Sequence, residues 1–225
     1  MLGTEKRGER MEANIITIAR IALVFVAIAF FGSGFWANLL ATLLVAGVIW
    51  MDAWDGYVAR KLGIASKLGA LLDITGDRIV ENALWIYFAV INMVPLWMPL
   101  VVISRSFIVD SLRAVAFAEG KTAFGPDTMM KSPLTKFLVA SPFSRGLYGF
   151  AKAAVFIWFG LILTLVAAAA EGLFLLPQGL FRFIVIIGDL LAYMTVILCL
   201  LRALPVIWDA WPLVVKKQYP CSDEI

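Results

Sequence analysis

Apolar stretches alternate with short polar connections along nearly all of the 225-residue chain. Six of them, at 15–33, 37–59, 70–91, 95–117, 147–170 and 180–204, run to roughly twenty residues, the length a helix needs to cross the hydrocarbon of a bilayer. Backbone amides have no water to bond there, so each stretch must satisfy its own backbone as a helix. The pattern predicts an all-α integral membrane protein with six transmembrane helices. One membrane domain is expected over residues 14–212, followed by a cytoplasmic tail at 213–225. Residues 1–13 mix charges with modest apolar anchors at Met1, Leu2 and Met11, which suits an amphipathic surface helix as well as a solvated tail.

The longest polar connection, residues 118–146, contains Gly120, Gly125, Pro126, Pro133 and Pro142, so it cannot be one continuous helix and is expected to form a loop. No internal repeat, low-complexity tract or heptad pattern interrupts this plan. Trp97, Trp208 and Trp211 lie at span ends and suit interfacial anchors.

Composition excludes a soluble globule. Hydrophobic residues make up 62% of the chain and charged residues 16%, against about 25% charged in soluble domains. The two cysteines, Cys199 in the last span and Cys221 in the tail, are not expected to pair. No small-residue cleavage site follows the first apolar stretch, which reads as a retained helix and not a signal peptide.

The distribution of charge orients the chain. Lys6, Arg7, Arg10, Arg60, Lys61, Lys67, Lys121, Lys131, Lys136, Arg145, Lys216 and Lys217 all fall on one side of the predicted spans. The connections at 32–36, 92–97 and 171–179 have only Arg182 near them. Basic residues favour the cytoplasmic side of short loops, so both termini are expected there.

Candidate chemistry concentrates where the second and third spans meet that side. Asp52 and Asp55 are three residues apart and Asp73 and Asp77 four apart, so each pair occupies one helix face. The short connection between the spans brings the two faces to one boundary. Clustered carboxylates repel unless a cation relieves them, and an all-oxygen set favours Mg²⁺ or Mn²⁺ over zinc. Gly56 and Ala59 share the face of Asp52 and Asp55, and Gly69 precedes Asp73 by one turn, leaving room beside the acids for a ligand. Arg60 adds a planar fork suited to a diphosphate. The structural alternative is pairing of these acids with Arg60, Lys61, Lys67 and Arg78.

The string Asp52-Ala-Trp-Asp55-Gly56-Tyr-Val-Ala59-Arg60, eight residues, then Gly69-Ala-Leu-Leu-Asp73-Ile-Thr-Gly-Asp77, resembles the full signature of the CDP-alcohol phosphotransferases. Each defining position matches. The resemblance implies a cytoplasm-facing polar cavity in which a phosphatidyl-type group moves from a CDP-linked lipid, CDP-diacylglycerol or an archaeal analogue, to an alcohol, releasing CMP. It implies that Asp52, Asp55, Asp73 and Asp77 hold one or two Mg²⁺ or Mn²⁺ ions, two being the expected number, and that Asp77 doubles as general base. With no histidine in the chain, such a base must be a carboxylate, a lysine or metal-bound water, and a metal-clamped carboxylate is a weak base unless the hydroxyl is acidified too.

The same resemblance sets Gly56, Ala59, Arg60, Ser66 and Gly69 against the CDP donor. It extends to Asn14, Thr17 and Arg20, which look like the N-x-x-T-x-x-R approach to the first span. As a purely structural reading, Asn14 caps the helix and Arg20 snorkels or pairs with an acid. Membrane lipids surround such an enzyme, no nucleic-acid partner is expected, and a homodimer is expected by family analogy.

For the acceptor, Arg105 lies deep in the fourth span near Asp110 and Arg113, and intramembrane charges face a bundle interior or a wet cavity. Arg113, Lys131, Lys136, Arg145 and Lys152 carry more positive charge than Asp110, Glu119 and Asp127 can balance, and Arg105, Arg113, Lys131, Arg145 and Lys152 are the candidates for an acceptor's phosphate. The surplus suits an acceptor bearing its own phosphate, and equally the attraction of anionic lipid headgroups. The segment 105–113 resembles that of phosphatidylglycerophosphate synthases, with Ser106 in place of an acid. Glycerol 3-phosphate is the leading acceptor, with inositol phosphate or an unphosphorylated alcohol such as serine as alternatives. The rival from another class is a cation transporter or channel, whose acids would lie deep along several spans instead of clustering at one boundary.

Overall fold

The computed structural model describes residues 2–62, 67–118 and 132–218, with side chains described at 15–52, 71–116, 132, 135–139 and 141–211. All regular structure among them is helical: α1 (Leu2–Phe30), α2 (Phe35–Leu62), α3 (Lys67–Val90), α4 (Trp97–Ala118), α5 (Pro133–Ala140), α6 (Pro142–Ala170) and α7 (Gln178–Gln218). Six of these coincide with the predicted stretches. Three are both long and apolar enough to cross a membrane, within Phe35–Asp52, Pro142–Ala170 and Gln178–Trp211, and a shorter apolar segment covers Ile15–Phe30. Helices α3 and α4 owe their lower apolarity to charges inside them: Asp73, Asp77, Arg78 and Glu81 on α3, and Arg105, Asp110 and Arg113 on α4.

The polar stretch 118–146 differs from the expected loop at its C-terminal end. There α5 starts at Pro133 and α6 at Pro142, because proline suits the first helical turn, where its missing N–H has no partner to lose. Ser141 caps α6, its hydroxyl accepting the Ser144 N–H at 3.1 Å. Helix α1 runs unbroken through residues 2–13. At about 1.5 Å per residue, the 41-residue α7 is about 60 Å long, twice the hydrocarbon thickness, so its C-terminal part extends past the predicted span.

The helices form two compact units, Met1–Leu96 with Ala153–Leu191, and Trp97–Lys152 with Ala192–Ile225. In the first, α1 packs on both α2 and α3. Its centre is aromatic: Phe88 stacks on Phe156 at 6.2 Å and tilts against Phe159 at 5.1 Å, while Trp85 meets Phe156 edge-on at 5.5 Å. The core of the second uses smaller groups, Val109, Ala116, Val139, Ala203, Val206 and Ala210, which let helix backbones approach closely where lipid gives no hydrophobic drive to associate. Cys199 is fully buried, as a small core residue should be. Large apolar side chains such as Leu43, Phe107 and Trp208 are exposed, a surface suited to hydrocarbon.

Polar clamps fix the helix ends of the first unit. The Glu171 carboxylate accepts the Phe35 N–H at 2.7 Å, capping α2, and a Cβ on Gly34 would lie 2.7 Å from that oxygen, at a backbone φ of +112° that side chains rarely adopt. Buried Asn38 accepts from Gly32 N–H at 2.7 Å and donates to the Leu163 carbonyl at 2.9 Å, tying α2 to α6. Replacing Asn38 by Leu removes both bonds and takes from the Gly32 N–H its side-chain acceptor, and thermal unfolding in detergent is expected to show a loss of about 1–2 kcal/mol. Unchanged unfolding would mean that water or another group takes over both bonds.

Candidate active site

Three helices of the first unit converge on one guanidinium. Arg20, from α1, places its Nη2 2.6 Å from Asp52 Oδ1 on α2 and 2.8 Å from Asp77 Oδ1 on α3, and its Nη1 3.3 Å from Asp73 Oδ1. The arginine side chain is 3% exposed, whereas those of Asp52, Asp73 and Asp77 are 39%, 51% and 40% exposed. The cluster is therefore closed by α1 and open on its acidic side.

The approach of α1 depends on Gly76, next to Asp77. A Cβ on Gly76 would lie 2.6 Å from the Thr17 methyl, and threonine, branched at Cβ, has little freedom to swing away. Thr17 is one turn before Arg20 on α1 and is buried, so this contact sets the depth at which the guanidinium meets the acids. Alanine at position 76 is expected to destabilise the fold by about 1–2 kcal/mol, the steric cost exceeding the roughly 1 kcal/mol of helix propensity gained. Alanine at Gly47, where a Cβ would meet nothing within 4 Å, is the control and is expected to be neutral or stabilising. Equal unfolding temperatures for the two variants would refute the close-packing argument.

Of the expected metal ligands, Asp52, Asp73 and Asp77 are brought together, with one oxygen from each lying within 4.8 Å of the others. Hard carboxylate oxygens at this spacing fit a divalent cation of the Mg²⁺ or Mn²⁺ type. Each carboxylate gives Oδ1 to Arg20. Asp55, Gly56, Ala59 and Arg60 lie on the last turns of α2 and Gly69 on the first turn of α3, but their side-chain surroundings fall outside the described residues, as does that of Asn14 on α1. Ser66 and Lys131 lie outside the described residues altogether. Of the structural alternative, pairing of these acids with Arg60, Lys61 or Lys67 falls outside the described side chains; Asp52, Asp73 and Asp77 pair with Arg20, and Arg78 lies 3.4 Å from the buried Glu81.

A second constellation, wholly within the other unit, surrounds the buried ring of Tyr148. The Arg105 and Arg202 guanidinium carbons are 5.5 and 5.7 Å from the ring centroid and the Lys152 ammonium is 4.9 Å away, all within cation–π range. Arg202 donates to the Ser144 hydroxyl at 2.8 Å and to the Val139 carbonyl at 3.4 Å. Arg105 Nε and Nη1 and Arg202 Nε are buried with no hydrogen-bond partner among the described residues. Buried cationic donors left open in this way suit an anion with several oxygens. Arg113 is held 3.8 Å from Asp110 on its own helix, and Arg145 is exposed at the start of α6.

Sequence reasoning missed Arg202 and Tyr148 and gave Arg20 no place among the ligands. The rule that singled out Arg105, an arginine inside an apolar span, applies equally to Arg202. No comparable signal marks Tyr148, since one tyrosine among many aromatics acquires meaning only from the cations around it.

Long apolar helices, with a carboxylate cluster in one unit and buried cations in the other, define the class of an integral membrane protein. The comparisons name the class more narrowly. Residues 10–215 match the model of the CDP-alcohol phosphatidyltransferase family, and the chain belongs to it. It is similar to the CDP-diacylglycerol--glycerol-3-phosphate 3-phosphatidyltransferase of Bacillus subtilis (strain 168), 34% identical over 121 residues covering 48% of this chain and 63% of that one. Proteins of the same name from Rickettsia bellii (strain RML369-C) and Pseudomonas fluorescens are 33% identical over 101 residues and 31% over 116. Those alignments cover 44% and 50% of this chain and 56% and 59% of the relatives. The chain thus spans about three-fifths of the length of the curated relatives it matches.

Proposed function

We propose that this protein is a multi-pass enzyme of the cytoplasmic membrane that transfers a phosphatidyl-type group from a CDP-linked lipid to an alcohol, with glycerol 3-phosphate as the leading acceptor, and releases CMP. The observation that carries this reading is the meeting of Asp52, Asp73 and Asp77 on Arg20. In the chemistry, the acceptor hydroxyl oxygen attacks the donor's β-phosphorus in line, its proton passes to the Asp77 carboxylate, and the bond to the CMP oxygen breaks. Asp52, Asp55, Asp73 and Asp77 would hold Mg²⁺ or Mn²⁺, and the chemistry such ions supply when bound is charge neutralisation on the diphosphate and acidification of the hydroxyl. Gly56, Ala59, Gly69 and Arg60 leave room for the CDP diphosphate and bind it, with Ser66, Asn14 and Thr17 beside it.

Arg105, Arg113, Lys131, Arg145 and Lys152, joined by Arg202, receive the acceptor's phosphate. The open donors beside Tyr148 support a phosphorylated acceptor, and the names of the relatives support glycerol 3-phosphate. Helices α1 to α4, α6 and α7 are the six crossings, and the basic connections put both termini and the acids on the cytoplasmic side. A homodimer is proposed by family analogy.

The test is CMP release by the purified protein in detergent with CDP-diacylglycerol and Mg²⁺, offering glycerol 3-phosphate, inositol 1-phosphate, serine or no acceptor. CMP formed only with glycerol 3-phosphate establishes reaction and acceptor together. CMP formed only with another alcohol keeps the chemistry and replaces the acceptor. Absence of any metal-dependent binding of the CDP-lipid removes the enzyme reading.

A further inference from the structure

Arg20 is buried, yet its three partners are partly exposed. Its Nη2 lies between Asp52 and Asp77, which belong to different helices, and so does for α2 and α3 what a bridging cation does. The Thr17–Gly76 contact one turn away holds it there. Among the described side chains, three carboxylates meet one guanidinium, an excess of negative charge that a divalent ion would offset. Without Arg20 the three acids, whose oxygens lie within 4.8 Å of one another, would repel, and a cation bound among them would relieve the same repulsion.

Two cations offsetting one set of acids at a few ångströms repel each other. From this geometry we infer that Arg20 is the built-in counter-ion of the acidic cluster, a positioning residue whose charge is interchangeable with that of a divalent cation. It keeps the three helices assembled before the cation arrives and weakens cation binding, so that the ion exchanges instead of being locked in place. The inference rests on the metal assignment proposed above and adds to it a negative coupling between a residue of α1 and the ion.

The experiment uses the purified full chain in detergent, with unfolding temperature and calorimetric Mg²⁺ titration as readouts, for wild type, Arg20→Gln and Arg20→Lys. In EDTA, Arg20→Gln is expected to unfold roughly 5 °C below wild type, since three partly exposed carboxylates lose their shared buried counter-charge. Saturating Mg²⁺ should restore most of that difference, with a half-saturating concentration on the order of tenfold below that of wild type. Arg20→Lys, which keeps the charge, should track wild type in both readouts.

An Arg20→Gln protein that is as stable as wild type in EDTA, that binds Mg²⁺ more weakly, or that cannot be recovered folded even with Mg²⁺ present overturns the inference. So does a lysine variant as impaired as the glutamine one. A wild-type protein with no Mg²⁺ response at all removes the metal assignment itself, and this inference with it.

Discussion

Replacing Asp77 by Asn is expected to lower CMP release by about 10³-fold or more while leaving the protein folded. Asparagine keeps the shape of the side chain and one carbonyl oxygen for Arg20 Nη2, now 2.8 Å from Asp77 Oδ1. What it loses is the charge, one of the three carboxylates that converge within 4.8 Å, and the proton acceptor proposed for the acceptor hydroxyl. General-base loss alone accounts for about 10²–10⁴, and a weakened cation site multiplies it. Stability should move little, because Arg20 retains Asp52 and Asp73 and one like-charge repulsion disappears. The check is a turnover assay beside an unfolding measurement on the same preparation. Residual activity above a tenth of wild type, with the fold intact, would exclude Asp77 as the base.

Arg105→Gln is expected to raise the KM for a phosphorylated acceptor by about 10- to 100-fold, the equivalent of one charge-assisted hydrogen bond, with the KM for the CDP-lipid unchanged. Arg105 is the better probe of the cationic cluster. Its Nε and Nη1 have no hydrogen-bond partner among the described residues, whereas Arg202 also holds the Ser144 hydroxyl and the Val139 carbonyl, so truncating Arg202 disturbs structure as well. Parallel kinetics with varied acceptor and varied donor separate the effects. An equal rise in both KM values, or a change in kcat alone, would move Arg105 out of the acceptor's phosphate site.

The candidate site was unevenly legible in the sequence. Asp52, Asp73 and Asp77 stand out because a carboxylate in an apolar stretch is costly and the spacing of each acidic pair is that of a helix face. Arg105 stands out for the same reason. Arg20 stands out less, since an arginine near a predicted cytoplasmic end has the ready alternative of snorkelling to the interface. Gly76 gives no signal of its own: that it must lack a Cβ follows from where Thr17 of another helix lies, 59 positions earlier in the chain.

By itself the sequence determined that the chain is helical and membrane-embedded, and which charges are too costly in hydrocarbon to be incidental. These follow from local periodicity and from the transfer cost of individual side chains, and neither needs a partner to be named. Only the tertiary structure decided that Asp52, Asp73 and Asp77 close on Arg20, that Arg78 reaches Glu81, and that Arg105, Lys152 and Arg202 gather on Tyr148. Charge pairing acts over a few ångströms between residues tens to hundreds of positions apart. Which pair forms is therefore set by helix packing, by small residues such as Gly76 that let α1 approach, and not by the order of residues along the chain.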